Sequence, residues 1–272
     1  MEKIKVAVIG AGGKMGTRTS NNLVTKFPDK FDVKLVETFP PAVERIEKER
    51  GLKVTPVDEA LAFADVVIFA VPDTLIKKLS AEYVPMLKPG TVFLILDPAA
   101  AVAKELTLRD DCTFGVAHPC HPSYFKWQKE EEAYQDRFGG EGGHQDIVMS
   151  CIQGDEEKFK LAQETARCMY RADKAFVMTS EQIAFLEPTL VETLGATCCY
   201  AMAETVNEAV KRGIDREAAV SFLTGHVFNL TANFLGYLPG NPPVSDACKV
   251  ALEIGNHLVL RDDWKKIWDD EL

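Results

Sequence analysis

The sequence predicts an α/β fold, with an N-terminal doubly wound parallel sheet followed by an all-helical C-terminal domain. Short apolar runs bounded by turn residues alternate with helical segments over residues 1–179, as buried parallel strands and their crossover helices do. From residue 180 onward the apolar positions recur with helical periodicity. We therefore expect two domains, residues 1–179 and residues 180–272.

Composition and charge exclude several classes of partner. The 272 residues are 46% hydrophobic, which is ample for a sizeable core, and the net charge of -10 argues against nucleic acid or an anionic membrane as a main partner. No apolar run approaches the roughly 18 residues that span a bilayer, and the N-terminus passes directly into a strand-like segment without a signal sequence. The seven cysteines form no CxxC pair, which favours reduced thiols. We expect a cytoplasmic protein with a small-molecule substrate.

A glycine-rich turn follows the first predicted strand, residues 5–9, and leads into a helix over residues 14–26. Strand, glycine turn and helix form the arrangement that binds a dinucleotide, because small residues let the backbone approach a pyrophosphate and the helix start donates N–H groups to it. The glycine spacing departs from strict GxGxxG. The candidate cofactor residues of this Rossmann-type motif are Gly10, Gly12, Gly13, Lys14, Met15 and Gly16.

The second predicted strand, residues 32–36, ends at Glu37, about twenty residues past the glycines, where an acidic side chain can accept hydrogen bonds from the ribose hydroxyls. A carboxylate there repels a 2′-phosphate, and no arginine follows until Arg45. The sequence therefore favours NAD over NADP. The alternative is that Glu37 is a solvated loop acid.

Further strands are predicted by apolar runs separated by helical segments. Two dipeptides fall at the carboxyl ends of these strands, which is the edge where ligands bind in such sheets. Val71-Pro72 are cofactor candidates, and Asp97-Pro98 lies at the same edge. The predicted strands are residues 53–54, 65–71, 91–96, 114–117, 146–153 and 174–178, and the predicted helices are residues 40–50, 57–63, 73–87 and 155–170.

Two of the five histidines lie in one predicted loop, residues 118–123, which reads His-Pro-Cys-His-Pro-Ser. The loop follows strand 114–117 and so falls on the ligand edge, and its two prolines restrict the backbone. Imidazoles held there favour a proton relay or a metal site, with an inert surface turn as the alternative. The polar, glycine-containing residues 124–144 are interpreted as a mobile excursion over the site, either a lid or a plain surface insertion.

The C-terminal half is predicted to contain a long helix over residues 180–212, kinked at Pro188. Its small-residue stretch, residues 194–199, indicates a close helix contact, and we expect a homodimer formed through this domain. A second helix over residues 216–233 carries His226, and a third begins beyond residue 243.

Several separated motifs carry a resemblance to known enzymes: the glycine turn, Asp97-Pro98-Ala99-Ala100, His118-Pro119-Cys120-His121-Pro122 and Leu186-Glu187-Pro188. The chain resembles the 6-phosphogluconate and β-hydroxyacid dehydrogenase superfamily, and within it the smaller group of D-apionate oxidoisomerases. The superfamily's catalytic lysine and asparagine fall on Pro188 and Glu192 here, so its usual lysine mechanism does not carry over.

The resemblance implies NAD-dependent oxidation of a branched polyhydroxy acid, followed by a carbon-skeleton shift to a 3-oxo acid. A divalent cation such as zinc would assist the shift, with His118 and Glu192 as candidate ligands, since imidazole and carboxylate suit such an ion. His121 is then the candidate general base. Ser123 and His226 are candidate substrate contacts.

Two other functions stay open from the sequence. The first is a simple NAD-dependent hydroxyacid or semialdehyde dehydrogenase without rearrangement. The second is an NAD-sensing regulator that keeps the fold without turnover, although a sensor has no use for His118 and His121 beside the nicotinamide.

Overall fold

The computed structural model describes residues 2–269. The chain divides into two compact units, Met1–Ala184 and Phe185–Leu272. The first is the α/β unit and the second is helical, in agreement with the predicted fold class. Helix Ser180–Ala184, which the sequence assigned to the helical domain, belongs to the α/β unit. Among the described residues, no helix is both long and apolar enough to cross a membrane.

The α/β unit is built on one seven-stranded sheet with strand order β2-β1-β3-β4-β5-β6-β7. β1 to β5 are parallel, whereas β6 is antiparallel to β5, and β7 is parallel to β6. The all-parallel prediction is therefore wrong for the last two strands, because only the short helix Glu131–Gln135 lies between β5 and β6 and no crossover helix returns the chain. The strands are β1 (Ile4–Ile9), β2 (Phe31–Val36), β3 (Val66–Phe69), β4 (Val92–Ile95), β5 (Thr113–Pro119), β6 (Gln145–Gln153) and β7 (Ala172–Val177).

Apolar side chains cover both faces of the central strands, as the apolar runs require. On one face Val66 and Ile68 join the main core cluster, which includes residues of two helices, α1 and α7. On the other face the ring centroids of Phe69 and Phe93 are 4.9 Å apart, and those of Phe93 and Phe114 are 5.6 Å apart. The helices of this unit are α1 (Lys14–Thr25), α2 (Pro40–Glu44), α3 (Val57–Phe63), α4 (Asp73–Tyr83), α5 (Ala99–Val102), α6 (Glu131–Gln135), α7 (Glu156–Tyr170) and α8 (Ser180–Ala184).

Three predicted elements of this unit differ from the structure. The helix expected over residues 73–87 is α4 followed by a 3₁₀-helix, Val84–Met86. The helix expected over residues 40–50 is α2 followed by a π-helix, Arg45–Glu49. The strand expected at residues 53–54 is an isolated bridge between Leu35 and Val54. A two-residue segment is too short to form a ladder, so the predicted strand is reduced to a single bridge beside the edge strand β2.

The helical unit begins with a π-helix, Phe185–Ala196, and continues with α9 (Thr197–Lys211), α10 (Arg216–Phe234) and α11 (Asp246–Leu258). Pro188 lies inside the π-helix, where the sequence predicted a kink in an α-helix. Proline has no N–H to donate, and the wider π-turn accommodates its ring. The Thr193 hydroxyl donates to the Pro188 carbonyl oxygen at 2.7 Å, which satisfies an acceptor of this irregular turn.

Candidate cofactor and metal site

The glycine turn is shaped by close backbone contacts at two of its positions. Gly10 has φ +77°, and a Cβ atom there would lie 2.4 Å from the carbonyl oxygen of Ala70, just past β3. A Cβ atom on Gly16 would lie 2.0 Å from the carbonyl oxygen of Gly10. These two glycines therefore allow β1, β3 and the start of α1 to pack together, which is a requirement of the fold before any ligand binds.

Gly13 has a different role in the same turn. A Cβ atom there would be no closer than 3.4 Å to its nearest neighbour, so packing within the protein does not require glycine. Gly13 is the N-cap of α1 and offers no side-chain acceptor to the helix's first N–H groups, which come from residues such as Lys14 and Met15. An exposed glycine at an uncapped helix start is the arrangement that accepts a phosphate.

Glu37 follows β2 and contacts the glycine turn directly. Its carboxylate accepts backbone N–H bonds from Gly12 at 3.0 Å, Thr38 at 2.8 Å and Phe39 at 3.0 Å. A carboxylate has about four acceptor positions, so three N–H bonds fix its orientation and leave capacity for a ribose hydroxyl. Arg45 donates to the carbonyl oxygen of Gly12 at 2.9 Å.

A cavity of about 830 Å³ opens beside Gly12 and Gly13 in the α/β unit. It lies among α1, the π-helix that follows α2, and residues 135–141. Cationic side chains dominate its lining, which favours phosphate groups of a cofactor. They are Lys14, Arg18, Arg45, Arg50 and Arg137.

Val71 and Pro72 lie where the strand-to-helix connection after β3 begins. The Val71 side chain would be 3.3 Å from a Cβ atom on Gly10, so it stands against the glycine turn. β1 and β3 are neighbours in the sheet, while the chain leaves β1 toward β2 on the other side. This is the strand-order reversal at which dinucleotides bind in open α/β sheets.

His118 is on a strand, which corrects its predicted place in a loop, because β5 continues to Pro119 by pairing with β6. Its Nδ1 lies 2.8 Å from the carbonyl oxygen of Leu96, at the end of the neighbouring strand. A carbonyl only accepts, so Nδ1 of the neutral ring is the donor and Nε2 carries the lone pair.

Asp97 follows Leu96 and lies beside the same imidazole. A carboxylate oxygen of Asp97 and a ring nitrogen of His118 are within 4.8 Å of one another. Asp97 also accepts the N–H of Ala99 at 2.8 Å, which orients its side chain at the start of α5. Imidazole and carboxylate at adjacent strand ends form a donor pair suited to a divalent cation.

His121 has φ +60°, a left-handed conformation that is uncommon for a residue with a side chain. Its Nδ1 lies 3.0 Å from the carbonyl oxygen of Phe138, and the two rings are 5.2 Å apart between centroids. The same tautomer argument applies as for His118: Nδ1 donates, and Nε2 is the basic nitrogen.

Within residues 124–144, the stretch 138–140 contacts α1, and the interpretation of the whole segment as a mobile excursion stays a prediction. Asp136 accepts N–H bonds from Gly139, Glu141, Gly142 and Gly143 at 2.8–3.0 Å. Burial raises the pKa of Asp136, but these four bonds outweigh it and hold the pKa below its usual value. The Asn21 side chain donates to the Gly140 carbonyl oxygen at 2.9 Å and ties the segment to α1.

The remaining predicted residues are Ser123, Glu192 and His226. The Ser123 hydroxyl accepts the N–H of Phe125 at 3.2 Å and so closes a turn. In the helical unit, Glu192 is exposed on the π-helix. His226 on α10 is exposed too, with its Nδ1 2.8 Å from the Phe222 carbonyl oxygen and its ring stacked on Phe222 at 4.1 Å. The assigned roles of these three residues stay predictions.

The sequence reasoning placed Asp97 at the ligand edge but gave it no role, and it missed Phe138 altogether. Asp97 had a usable signal, since it ends one strand as His118 ends the next, and adjacent parallel strands meet at one edge. Phe138 had none, because it lies in an irregular segment and its contacts join residues far apart in the sequence.

Two family models match adjoining parts of the chain. Residues 1–116 match the family model of the acetohydroxy acid isomeroreductase NADPH-binding domain. Residues 126–272 match that of the phosphogluconate dehydrogenase (decarboxylating) C-terminal region.

Curated relatives and a solved structure match nearly the whole chain. A D-apionate oxidoisomerase of Blautia hydrogenotrophica is 72% identical, covering 100% of this chain and 94% of the relative. One from Cupriavidus necator is 42% identical, covering 99% and 96%. The crystal structure of a semialdehyde dehydrogenase NAD-binding protein from Cupriavidus necator, in complex with calcium and NAD, has a TM-score of 0.92 at 42% identity, covering 98% of this chain and 96% of that one.

Proposed function

Since this chain belongs to the D-apionate oxidoisomerase family, we propose that it oxidises D-apionate, or a closely related branched sugar acid, and rearranges the product to a 3-oxo acid. The chain is an NAD-dependent oxidoreductase. The observation that carries the proposal is the pairing of His118 with Asp97 at the ligand edge of the nucleotide-binding sheet.

The α/β unit supplies the cofactor contacts. NAD provides a hydride acceptor when it is bound. The N–H groups at the start of α1 and the side chain of Lys14 bind its pyrophosphate, and Glu37 accepts from a ribose hydroxyl. Glu37 also disfavours a 2′-phosphate, which supports NAD over NADP.

The oxidation removes two hydrogens from a secondary alcohol. Nε2 of His121 takes the hydroxyl proton, the carbon gives its hydride to the nicotinamide, and a ketone forms. Because Nδ1 of His121 donates to the Phe138 carbonyl oxygen, the basic nitrogen is the one that faces away from that bond.

The rearrangement starts from the ketone and its neighbouring tertiary alcohol. The tertiary hydroxyl loses a proton and becomes a carbonyl group, while a carbon substituent migrates with its bonding electrons to the former ketone carbon. The former ketone oxygen takes up a proton, so this step is an isomerisation with no net oxidation. The proton lost by the tertiary hydroxyl passes to solvent, and His121, protonated in the first step, donates its proton to the former ketone oxygen.

A divalent cation would polarise the two substrate oxygens during the migration. His118 and Asp97 would hold it, and the carbonyl oxygen of Leu96 would orient the imidazole from behind. This set of nitrogen and oxygen donors suits zinc or a similar first-row ion better than calcium, which prefers oxygen ligands.

The sequence assigned Glu192, from the helical unit, to the same cation, and we keep a carboxylate of that helix in the proposal. Glu187 and Glu192 are five residues apart on the π-helix, the spacing of its hydrogen-bonded turn. Either side chain offers a carboxylate ligand, and substituting each residue in turn identifies which of the two binds the cation. Ser123 and His226 remain proposed contacts for substrate hydroxyl or carboxylate groups.

We also propose that a second copy of the chain covers the helical unit, as the sequence indicated. α10 runs for 19 residues and buries only Ala232, whereas Phe222, Phe228 and Phe234 are 70%, 48% and 57% exposed. An apolar helix left this exposed calls for a partner surface. Light scattering after size exclusion tests this: a monomer at micromolar concentration would contradict it, and Phe222→Asp should weaken a dimer.

The decisive experiment incubates the protein with NAD and D-apionate, with NADH followed by absorbance and the product identified by NMR. We expect NADH and a rearranged 3-oxo acid. An unrearranged keto acid would favour a simple dehydrogenase, and binding of NAD without turnover of any sugar acid would favour a sensor.

A further inference from the structure

Phe138 joins the candidate base to the cofactor helix, although nothing in the sequence marks it. Its ring lies 4.0 Å from Nζ of Lys14 and 4.2 Å from the guanidinium carbon of Arg18, both on α1. The same ring is 5.2 Å from the imidazole of His121. One half-buried side chain therefore contacts both the start of α1 and the proposed proton acceptor.

The backbone of Phe138 acts on His121 as well. Its carbonyl oxygen accepts from Nδ1 at 3.0 Å and so selects the tautomer in which Nε2 is basic. His121 also has a left-handed backbone, a conformation that persists only where surrounding contacts hold it. The contact with Phe138 is one of those that fix this residue.

Neighbouring contacts hold Phe138 itself in place. On its N-terminal side, the Asp136 carboxylate accepts hydrogen bonds from the backbone N–H groups of Gly139 and Glu141. On its C-terminal side, Gly140 is bonded to Asn21 of α1 and lies so close to Arg18 that a Cβ atom there would be 2.7 Å from Cγ of the arginine. The ring position is therefore fixed both by contacts with α1 and by the hydrogen bonds of Asp136 within the segment.

We propose that Phe138 is a positioning residue for the proton transfer. Its carbonyl group sets the tautomer of His121, and its ring holds that imidazole beside the cationic start of the cofactor helix. The proposal rests on the proposed role of His121 as the base. It predicts that loss of the aromatic ring impairs both proton transfer and cofactor binding, although Phe138 need not touch the substrate.

The test compares Phe138→Leu with Phe138→Tyr, because leucine keeps apolar volume and loses the ring, whereas tyrosine keeps the ring. For Phe138→Leu we expect kcat to fall about threefold to tenfold and the NADH dissociation constant to rise by a similar factor, from loss of the two cation contacts. KM for the sugar acid should stay within about twofold. Phe138→Tyr should restore kcat and NADH binding.

Phe63→Leu is the matched control, since the half-buried Phe63 ring also contacts two cations, Lys34 at 4.5 Å and Lys5 at 5.8 Å, but these lie on β2 and β1 and not on α1. Its kcat and NADH binding should equal those of the wild type. Phe138→Leu with unchanged kcat and NADH binding, an equal loss in Phe63→Leu, or failure of Phe138→Tyr to restore activity would overturn the proposal.

His121→Asn separates this inference from the proposed function. If His121→Asn retains wild-type kcat, the assignment of the base is wrong. If His121→Asn loses activity while Phe138→Leu does not, the base stands and only the role of Phe138 fails. NADH binding needs no turnover, so it tests the contact between the ring and Lys14 even without a reactive sugar acid.

Discussion

Nδ1 of His118 donates to the carbonyl oxygen of Leu96 over 2.8 Å, and Leu96 is followed directly by Asp97. The end of one strand thus orients the imidazole and supplies a carboxylate beside it. In metal sites the ring nitrogen that does not bind the ion is held in this way by a carbonyl or carboxylate group. The geometry therefore leads to a direct prediction about metal content.

Replacing either member of this pair should remove a bound cation. Loss of a group that only hydrogen-bonds to a metal ligand lowers metal affinity roughly 10- to 100-fold. For His118→Ala and Asp97→Asn, which remove the proposed ligands themselves, we expect at least that loss of metal affinity and a parallel loss of rearranged product. Plasma mass spectrometry of purified protein and activity after chelation provide the measurements. Asp110→Asn is the control, since Asp110 is an exposed acid that precedes β5 and is not at the carboxyl end of a strand.

Two further variants test the proposal that the π-helix supplies a carboxylate ligand. Glu187→Gln and Glu192→Gln keep side-chain size and remove the charge, so the one that lowers metal content identifies the ligand. Equal metal content in the wild type, in both of these variants and in His118→Ala would remove the cation from the mechanism.

Two glycines of the same turn should respond differently to alanine. Gly16→Ala places a methyl group 2.0 Å from the Gly10 carbonyl oxygen, and we expect a loss of about 1–3 kcal/mol in the free energy of unfolding. Gly13→Ala has room, with its nearest atom at 3.4 Å, so the melting temperature should change little while KM for NAD rises. Thermal unfolding and NAD titration of both variants check this, and a large stability loss in Gly13→Ala would contradict it.

The candidate base is tested by His121→Asn. Asparagine can still donate to the Phe138 carbonyl oxygen but cannot accept a proton from an alcohol at neutral pH. General base catalysis contributes about 10²- to 10⁴-fold, so we expect kcat to fall within that range. NADH binding should change by less than about threefold, well below the loss of kcat. His257→Asn on α11 serves as the control and should match the wild type.

Stability should depend on pH through Asp136. The pKa of Asp136 is depressed in the folded protein, so its contribution is fully present above the unfolded value near 3.9 and is lost as pH falls through the folded value. Asp136→Asn should therefore unfold at a lower temperature than the wild type at pH 7. The difference should shrink below about pH 4; a difference independent of pH would show that the charge is not responsible.

Local sequence determined the order of the α/β elements and the position of the cofactor turn. The β1 run, the glycines and Glu37 are close in the chain, and their hydrophobic periodicity and turn chemistry act over a few residues. For that reason helix Val57–Phe63 has the predicted bounds, and the proposed cofactor residues Gly12 and Glu37 are in contact.

Tertiary structure decided the direction of β6 and β7, the strand position of His118, and the neighbours of both histidines. Asp97, Leu96 and His118 meet because parallel strands align their carboxyl ends, and Phe138 reaches His121 and Lys14 because residues 138–140 contact α1. These contacts join groups far apart in sequence. Their free energy comes from packing and from hydrogen bonds that form only once the sheet is assembled, so no local pattern records them.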